Sequence, residues 1–309
     1  MTRCSCVLLA LLLAAPAAWA APAKPVALSA ASLDSLKAAH DKDQRETREW
    51  LATSPTSYLA AVGRVDYGKR TSMIVGSAAS ADLRVDDAAI AAEHLRVTVV
   101  GDSFRVEALA PGAVVKVGAR ELAGGMFGPA TVQLGRYRLR FSHQRYPALI
   151  LFDPQGPHVK DEVAQHWYDY DPRYRFETAL IPDASPDTVI VHSTRGNERR
   201  ALRMGWFELK LPGGKARLEA HRLLEPGVDE AGVSLFFRDA TTDRETHGVG
   251  RYVEPALQPN GTWLLDLNNA YNPACAFSPH YNCPIPSKAN TLKVAVRAGE
   301  KSPTGTSAH

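Results

Sequence analysis

The sequence predicts a mainly β protein in which one N-terminal helix precedes two β-rich blocks. From Tyr58 onward, runs of five to eight β-type residues are separated by Gly, Pro, Asp and Asn, the pattern of a sandwich or barrel. In RYRLRF, Tyr137, Leu139 and Phe141 alternate with arginines, which is typical of a strand with one buried face. Helical spacing of apolar residues is confined to one segment before these runs.

The first twenty residues, MTRCSCVLLALLLAAPAAWA, have the composition of a secretory signal peptide. Arg3 precedes an apolar run from Val7 to Ala15, and a small-x-small triplet ends at Ala20. We therefore predict cleavage after Ala20 and a periplasmic or secreted mature protein. The run is shorter than the roughly 20 apolar residues of a membrane helix, and no later stretch approaches that length, so we expect no membrane span.

The next two segments are a predicted disordered leader, residues 21–31, and an amphipathic helix, residues 32–54. Ser32 has the residue type of an N-cap, and Leu33, Leu36 and Leu51 keep a helical spacing through the charged stretch DKDQRETREW. The Ser-Pro step at 54–55 ends the pattern.

The remaining chain divides into a first β block at residues 55–146, a second at 147–301 and a disordered tail at 302–309. Removal of the signal peptide, which contains Arg3, leaves 35 basic and 33 acidic residues. A net charge so near zero gives no electrostatic reason to expect a nucleic-acid partner.

The first block resembles a forkhead-associated domain. The resemblance rests on MIVGSAASADLRVDDAAIAAEHLRV and VVKVGARELAGGMFGPATVQLGRYRLRF, with Gly76 after a strand, His94 opening another and a turn at Gly118. Phosphopeptide-binding members have Arg, Ser and Asn where this chain has Ser77, Ala91 and Val117. The resemblance thus implies a degenerate β-sandwich that does not bind phosphothreonine peptides.

A wider resemblance covers residues 45–301 and is carried by several specific stretches. They include YDYDPRYRFETALIP, FFRDATTDRETHGVGRYV, LDLNNAYNPACAFSPHYNCPIPSKANTL and the terminal AGEK. In these the chain is similar to an uncharacterised bacterial family, domain-of-unknown-function family 1684. That family has no accepted activity, so the resemblance does not imply a reaction.

A polar cluster is predicted from a hairpin between residues 246–253 and 262–269. A two-residue turn at Asn260-Gly261 would pair Val253 with Asn268. His247, Arg251, Asp266 and Asn268 would then share one sheet face, although Pro255 and Pro259 allow a longer loop, and a one-residue slip would separate them. Two hypotheses remain open for this cluster: a catalytic site with His247 and Asp266 as candidate catalytic residues, or a structural Arg251–Asp266 ion pair.

Cys275 and Cys283 are the cysteines left after signal cleavage. Seven residues separate them, and in an oxidising compartment a disulfide closing this short loop is the expected state. An alternative is a metal site formed by Cys275, His280 and Cys283, although the spacing matches no common zinc pattern. We predict no bound cofactor.

The leading functional hypothesis is an exported, non-catalytic β protein that binds an unidentified small molecule or protein. Its predicted ligand-binding residues flank the Pro-rich loop, and they are Arg251, Asn268, Asn269, Tyr271 and Asn272. The alternative is a hydrolase or metal-assisted enzyme centred on His247, Arg251, Asp266 and Asn268. An enzyme requires these side chains to converge in a concave pocket, whereas a structural cluster would be paired and filled.

Overall fold

The computed structural model describes residues 22–160, 163–184 and 187–305. The predicted signal peptide, the first residue of the leader and residues 306–309 of the tail lie outside these ranges. The prediction of a mainly β protein with an N-terminal helix is confirmed, since the described residues contain one α-helix and twenty strands.

Helix α1 spans Ala30–Thr53, close to the predicted limits. It begins earlier than predicted because Ser29, rather than Ser32, is the N-cap: the Ser32 N–H donates to the Ser29 hydroxyl at 3.1 Å. The residues of α1 that are shielded from solvent recur every three or four positions. They are Leu33, Leu36, His40, Gln44, Thr47 and Leu51. The middle of this set is polar, and only His40 and Leu51 are buried.

The segment before α1 is ordered where it is described, which corrects the predicted disordered leader. Ala23 pairs in parallel with Leu209, and Pro25 bridges Phe176. The Ala23 N–H donates to the Glu208 carbonyl at 2.8 Å. These backbone hydrogen bonds give residues 23–26 a fixed place at a sheet edge.

The first β block contains eleven strands arranged in two sheets. Strands β1 to β6 are Ala61–Asp66, Ser72–Gly76, Leu83–Arg84, Leu95–Val100, Ser103–Ala108 and Val115–Val117. Strands β7 to β11 are Arg120–Leu122, Gly124–Phe127, Ala130–Leu134, Tyr137–Ser142 and Ala148–Phe152.

The two sheets of this block have strand orders β1-β11-β10-β9-β6-β7 and β3-β2-β4-β5-β8, and they share one apolar core. Tyr137, Leu139 and Phe141 are buried in it, as their alternation predicts. Strand β11 pairs with β1 and β10, so the predicted boundary at residue 146 comes too early. The sandwich architecture holds, while the forkhead-associated resemblance stays a prediction.

The second β block contains nine strands. They are β12 Arg175–Thr178, β13 Ile181–Pro182, β14 Thr188–His192, β15 Glu198–Leu211, β16 Gly214–Leu223, β17 Leu235–Phe237, β18 Arg251–Val253, β19 Ala256–Leu257 and β20 Trp263–Asp266. The five 3-10 helices of the described residues are Tyr58–Ala60, Pro157–Lys160, Pro172–Tyr174, Leu267–Asn269 and Ala274–Ala276.

The long hairpin β15–β16 is the largest element of the second block. It carries β13 and β14 on its outer side, while β12-β20-β19 and β17-β18 form smaller sheets. Phe176, Phe207, Leu218, Leu235 and Leu265 belong to the apolar core beneath these strands. Segments 164–168 and 299–304 pair antiparallel, which orders part of the predicted disordered tail.

Candidate functional site

The predicted pairing of residues 246–253 with 262–269 is wrong. Ala256 pairs with Leu264 and Leu257 with Trp263, one residue out of the predicted register, and β18 pairs instead with β17. The turn is longer than two residues, because the Gln258 N–H donates to the Thr262 carbonyl around Asn260-Gly261. The slip separates the side chains that the predicted register placed on one face.

The predicted ion pair between Arg251 and Asp266 is also wrong. Arg251 lies 2.7 Å from Asp239 and donates to the carbonyls of Val296, Ala298 and Glu300. Asp266 instead accepts from Arg175 at 2.7 Å.

Asp266 and Asn268 are fully engaged in local hydrogen bonds. Tyr170 donates to Asp266 at 3.1 Å, and the Asn268 amide donates to Asp266 Oδ1 at 2.8 Å. Asn268 also donates to the Asp171 carbonyl and accepts from the Asp171 N–H, both at 2.9 Å. These groups fix the loop backbone, so the structural hypothesis describes them better than the catalytic one.

His247 lies outside the cavity described below. Its Nε2 atom is buried without a hydrogen-bond partner. Burial lowers the pKa of this imidazole more than the nearby Asp243 raises it, so His247 is neutral at pH 7. No hydrogen bond or ion pair of the described residues joins it to Arg251, Asp266 or Asn268.

A cavity of about 460 Å³ lies between α1 and the segment that follows β20. That volume is within the range of small-molecule sites. One wall comes from α1 and the 3-10 helix at Tyr58, and the other from segments 165–167, 268–277 and residue 300. The lining residues are His40, Asp43, Glu46, Thr47, Trp50, Leu51, Tyr58, Gln165, Trp167, Asn268, Asn269, Ala270, Tyr271, Asn272, Phe277 and Glu300.

Several polar atoms of this lining are buried and have no hydrogen-bond partner within the protein. They are both ring nitrogens of His40, Oε1 of Gln165 and Oδ1 of Asn272. The three side chains are 6%, 8% and 3% exposed. Buried polar groups in folded proteins are nearly always paired, and an exception requires a local explanation. Their grouping around one cavity is that of a site built to bind a polar ligand.

Glu300 forms the floor of the cavity. Its Oε2 accepts from the Asn272 N–H at 2.7 Å, and its own N–H donates to the Ala270 carbonyl at 2.8 Å. Gly299 permits this close approach, since a Cβ there would lie 2.4 Å from the Ala270 oxygen. Burial raises the pKa of Glu300 to about 7, and the charge of Asp43 adds to the increase.

Aromatic rings form the apolar part of the lining. Tyr58 stacks on Phe277 with ring centroids 5.5 Å apart and meets Trp50 edge-on at 4.9 Å. Tyr271 donates to Glu254 at 2.6 Å, which fixes its ring. A cavity with aromatic faces and a few convergent polar groups has the usual composition of a small-molecule site.

Four of the five predicted ligand-binding residues line this cavity. They are Asn268, Asn269, Tyr271 and Asn272, whereas Arg251 lies outside it. Asn269 is at the exposed rim and Asn272 is buried. Sequence reasoning missed Glu300, Gln165 and the α1 wall. The available signal was the row of polar residues, His40, Gln44 and Thr47, inside the apolar stripe of α1.

Cys275 and Cys283 lie side by side as free thiols near the cavity wall. The Cys275 N–H faces Cys283 Sγ at 3.4 Å, and the Cys283 N–H donates to Thr194 at 3.0 Å. The thiol contact with Cys283, together with burial, raises the pKa of Cys275. The predicted disulfide is not formed in this structure. It stays a prediction, which the proximity of the two residues supports.

Intact mass spectrometry of the mature protein tests this pairing. We expect a mass that starts at Ala21 and is two hydrogens below that of the reduced chain, because the loop is short and already folded. The disulfide should add about 2–3 kcal/mol to the free energy of unfolding, a gain that reductant removes. A protein purified without reductant that keeps both thiols free would contradict the prediction.

The residues described here contain no group of three or more His, Cys, Asp or Glu side chains arranged to hold a metal ion. Cys275, Cys283 and His280 accordingly do not form such a group. Within the same ranges, no helix has the length and apolar character needed to cross a membrane.

Comparisons with known proteins add a family relationship. Residues 164–301 match the model of a family described as a protein of unknown function (DUF1684). No curated protein matches the chain. Among solved structures, the chain is similar to an uncharacterized protein of Haloarcula marismortui studied by NMR in solution. The two are 31% identical over 48% of this chain and 82% of the other, with a TM-score of 0.38.

Proposed function

We propose that this chain, whose residues 164–301 carry the DUF1684 family domain, is an exported, non-catalytic protein that binds a small molecule in the cavity beneath α1. The signal peptide predicted at residues 1–20 supports export. The cavity supports ligand binding through the unpartnered atoms of His40, Gln165 and Asn272. Leaving such atoms unpaired costs about 1–3 kcal/mol each, and a bound polar ligand offsets that cost.

This observation carries the proposal because four of the nine unpaired buried polar atoms of the described residues belong to the lining of this one cavity. The other five belong to Ser57, His143, His221, His247 and Tyr281, which do not line it. Asp266, Arg175, Arg251 and Asp239 are paired with one another or with backbone. The catalytic alternative at His247, Arg251, Asp266 and Asn268 has no comparable support, since only Asn268 lines the cavity.

Ligand-observed NMR with a fragment set containing neutral, cationic and anionic compounds tests the proposal. We expect a subset of fragments to bind the wild type. Binding should be lost in Thr47→Trp, because the indole would fill the cavity from α1. Ala52→Trp is the matched control, since Ala52 is exposed on the same helix and outside the lining.

Two results would contradict the proposal. One is a screen in which no fragment binds the wild type. The other is a Thr47→Trp protein, shown to be folded by its circular dichroism, that binds the same fragments as the Ala52→Trp control.

A further inference from the structure

The hydrogen-bonding character of the cavity restricts the ligand that can occupy it. The unpaired amide atoms are both acceptors, Gln165 Oε1 and Asn272 Oδ1. The Asn272 amide nitrogen donates to the Lys301 carbonyl at 2.7 Å, and the Asn272 side chain also hydrogen-bonds to Glu300. Glu300 adds a carboxylate beside Asn272. A ligand that satisfies these groups must supply N–H or O–H donors.

The charge of the lining is the second restriction. Asp43 and Glu46 project from α1, Glu300 faces them from the floor, and no Lys or Arg lines the cavity. The positive charge that acts on Glu300 is that of Arg251, whose guanidinium is already paired with Asp239 at 2.7 Å. Asp43 and Glu300 take part in no ion pair of the described residues, whereas Glu46 contacts Lys42 at 3.5 Å on the exposed surface of α1. A lining with this excess of carboxyl groups repels an anion and attracts a cation.

The aromatic rings are the third restriction. Trp50, Tyr58 and Trp167 surround the same space, and the faces of such rings attract cations. The chain itself uses this interaction next to the cavity, where the guanidinium of Arg48 lies 4.5 Å from the centre of the Trp167 ring.

A neighbouring depression has a more basic lining. It shares His40, Gln165 and Trp167 with the cavity, but its other charged lining residues are three bases and two acids, Lys37, Arg48, Lys301, Asp41 and Asp169. Anions that bind this protein should therefore occupy that depression and leave the cavity free. The Thr47→Trp variant distinguishes the two places, because Thr47 lines only the cavity.

From these restrictions we infer that the ligand of the cavity is a small organic cation with N–H donors, a primary ammonium or a guanidinium carried on an apolar body. The inference rests on the proposed binding function and adds the chemical class of the ligand. The ammonium group contacts Glu300 and the open amide oxygens, while the apolar body lies against the aromatic rings.

Isothermal titration calorimetry at pH 8 and low salt tests the inference with four probes that share a phenylalkyl body and differ in the polar group. The probes are 2-phenylethylammonium, trimethyl-(2-phenylethyl)ammonium, 2-phenylethanol and 3-phenylpropanoate. We expect the primary ammonium to bind at least tenfold more tightly than the alcohol and more tightly than the trimethyl compound. The carboxylate should show no binding that Thr47→Trp removes.

A pair of variants on α1 isolates the charge contribution. Asp43→Asn should weaken binding of the primary ammonium roughly fivefold, since an exposed carboxylate contributes up to about 1 kcal/mol. Asp34→Asn removes the same charge from the same helix outside the lining and should leave the affinity unchanged.

Each unfavourable outcome separates the inference from the function on which it rests. If the alcohol or carboxylate occupies the cavity as tightly as the ammonium, or if Asp43→Asn and Asp34→Asn behave alike, the cation inference is wrong while the cavity remains a binding site. Equal binding of the two cations overturns the requirement for N–H donors. If these probes and the whole fragment set fail to bind, both the inference and the proposed function fall.

Discussion

Replacement of Arg251 by alanine is expected to lower the free energy of unfolding by about 3–5 kcal/mol, the typical cost of removing one partner of a buried ion pair. The side chain of Arg251 is 1% exposed and is bonded to Asp239 and to the carbonyls of Val296, Ala298 and Glu300. The variant would leave the Asp239 carboxylate and three carbonyls without their donor. Urea unfolding followed by circular dichroism measures the change.

Two further variants show that the effect belongs to this site. Arg251→Lys keeps the charge but loses the planar fork that reaches several acceptors, so we expect an intermediate loss. Arg173→Ala breaks an exposed ion pair with Asp171 and should leave the free energy of unfolding nearly unchanged. If Arg251→Ala were no more destabilising than Arg173→Ala, the structural role assigned to Arg251 would be wrong.

The carboxyl of Glu300 is expected to make the folded protein less stable as the pH rises from 5 to 8. Its pKa is about 7 in the folded state and near 4.5 when unfolded, because burial disfavours the charge. Between these values the unfolded chain releases a proton that the folded chain retains, so folding loses stability as pH increases. At pH 8 the loss from this group is on the order of 3 kcal/mol.

Glu300→Gln removes this titration while keeping an acceptor for the Asn272 N–H. The comparison is the difference in unfolding free energy between variant and wild type at each pH, because other groups titrate in the same interval. Burial lowers the pKa of His94, His221 and His247. These groups make the folded protein less stable as the pH falls, which is opposite to the effect of Glu300. We expect the free energy of unfolding of Glu300→Gln, relative to that of the wild type, to increase steadily up to pH 8.

The control for this experiment is Glu107→Gln, an exposed glutamate on β5. This variant makes the same substitution on the surface of the protein. If the difference for Glu300→Gln varies with pH no more than the difference for Glu107→Gln, Glu300 lacks the raised pKa assigned to it, and the charge assigned to the cavity floor would need revision. The carboxyl and amide groups that face Glu300 are those of Asp43 and Asn272, with the His40 imidazole, the Tyr58 phenol and Arg251 also nearby.

Local patterns were sufficient to predict much of the fold. The three-and-four spacing of α1 and the alternation of Tyr137, Leu139 and Phe141 depend on neighbours in sequence, and both are confirmed. A hairpin around Asn260-Gly261 was predicted between residues 246–253 and 262–269, but the strand that pairs with β20 is β19. The register depends on how residues 258–262 close the turn. Since a two-residue and a five-residue loop use the same Asn-Gly step, sequence alone left a one-residue error.

The cavity could be predicted only in part for a related reason. Asn268, Asn269, Tyr271 and Asn272 are close together in sequence, so their composition indicated a site. Glu300 and His40 reach that site from opposite ends of the chain. Nothing in their local sequence shows that Gly299 brings Glu300 against Ala270, or that α1 lies across the loop. Such long-range pairings are decided by tertiary packing.

The pairing of Ala23 with Leu209 has a consequence for how this protein is divided and made. Residues 23–26 bridge to β15 and β12, and α1 forms a wall of the cavity, so the segment before the sandwich at 61–152 packs against the β block that follows it. Ala23 and Leu209 are 186 positions apart in the sequence, and a contact over such a separation raises the contact order, which favours slow completion of folding. A recombinant fragment cut at the family boundary of residue 164 would omit one wall of the cavity.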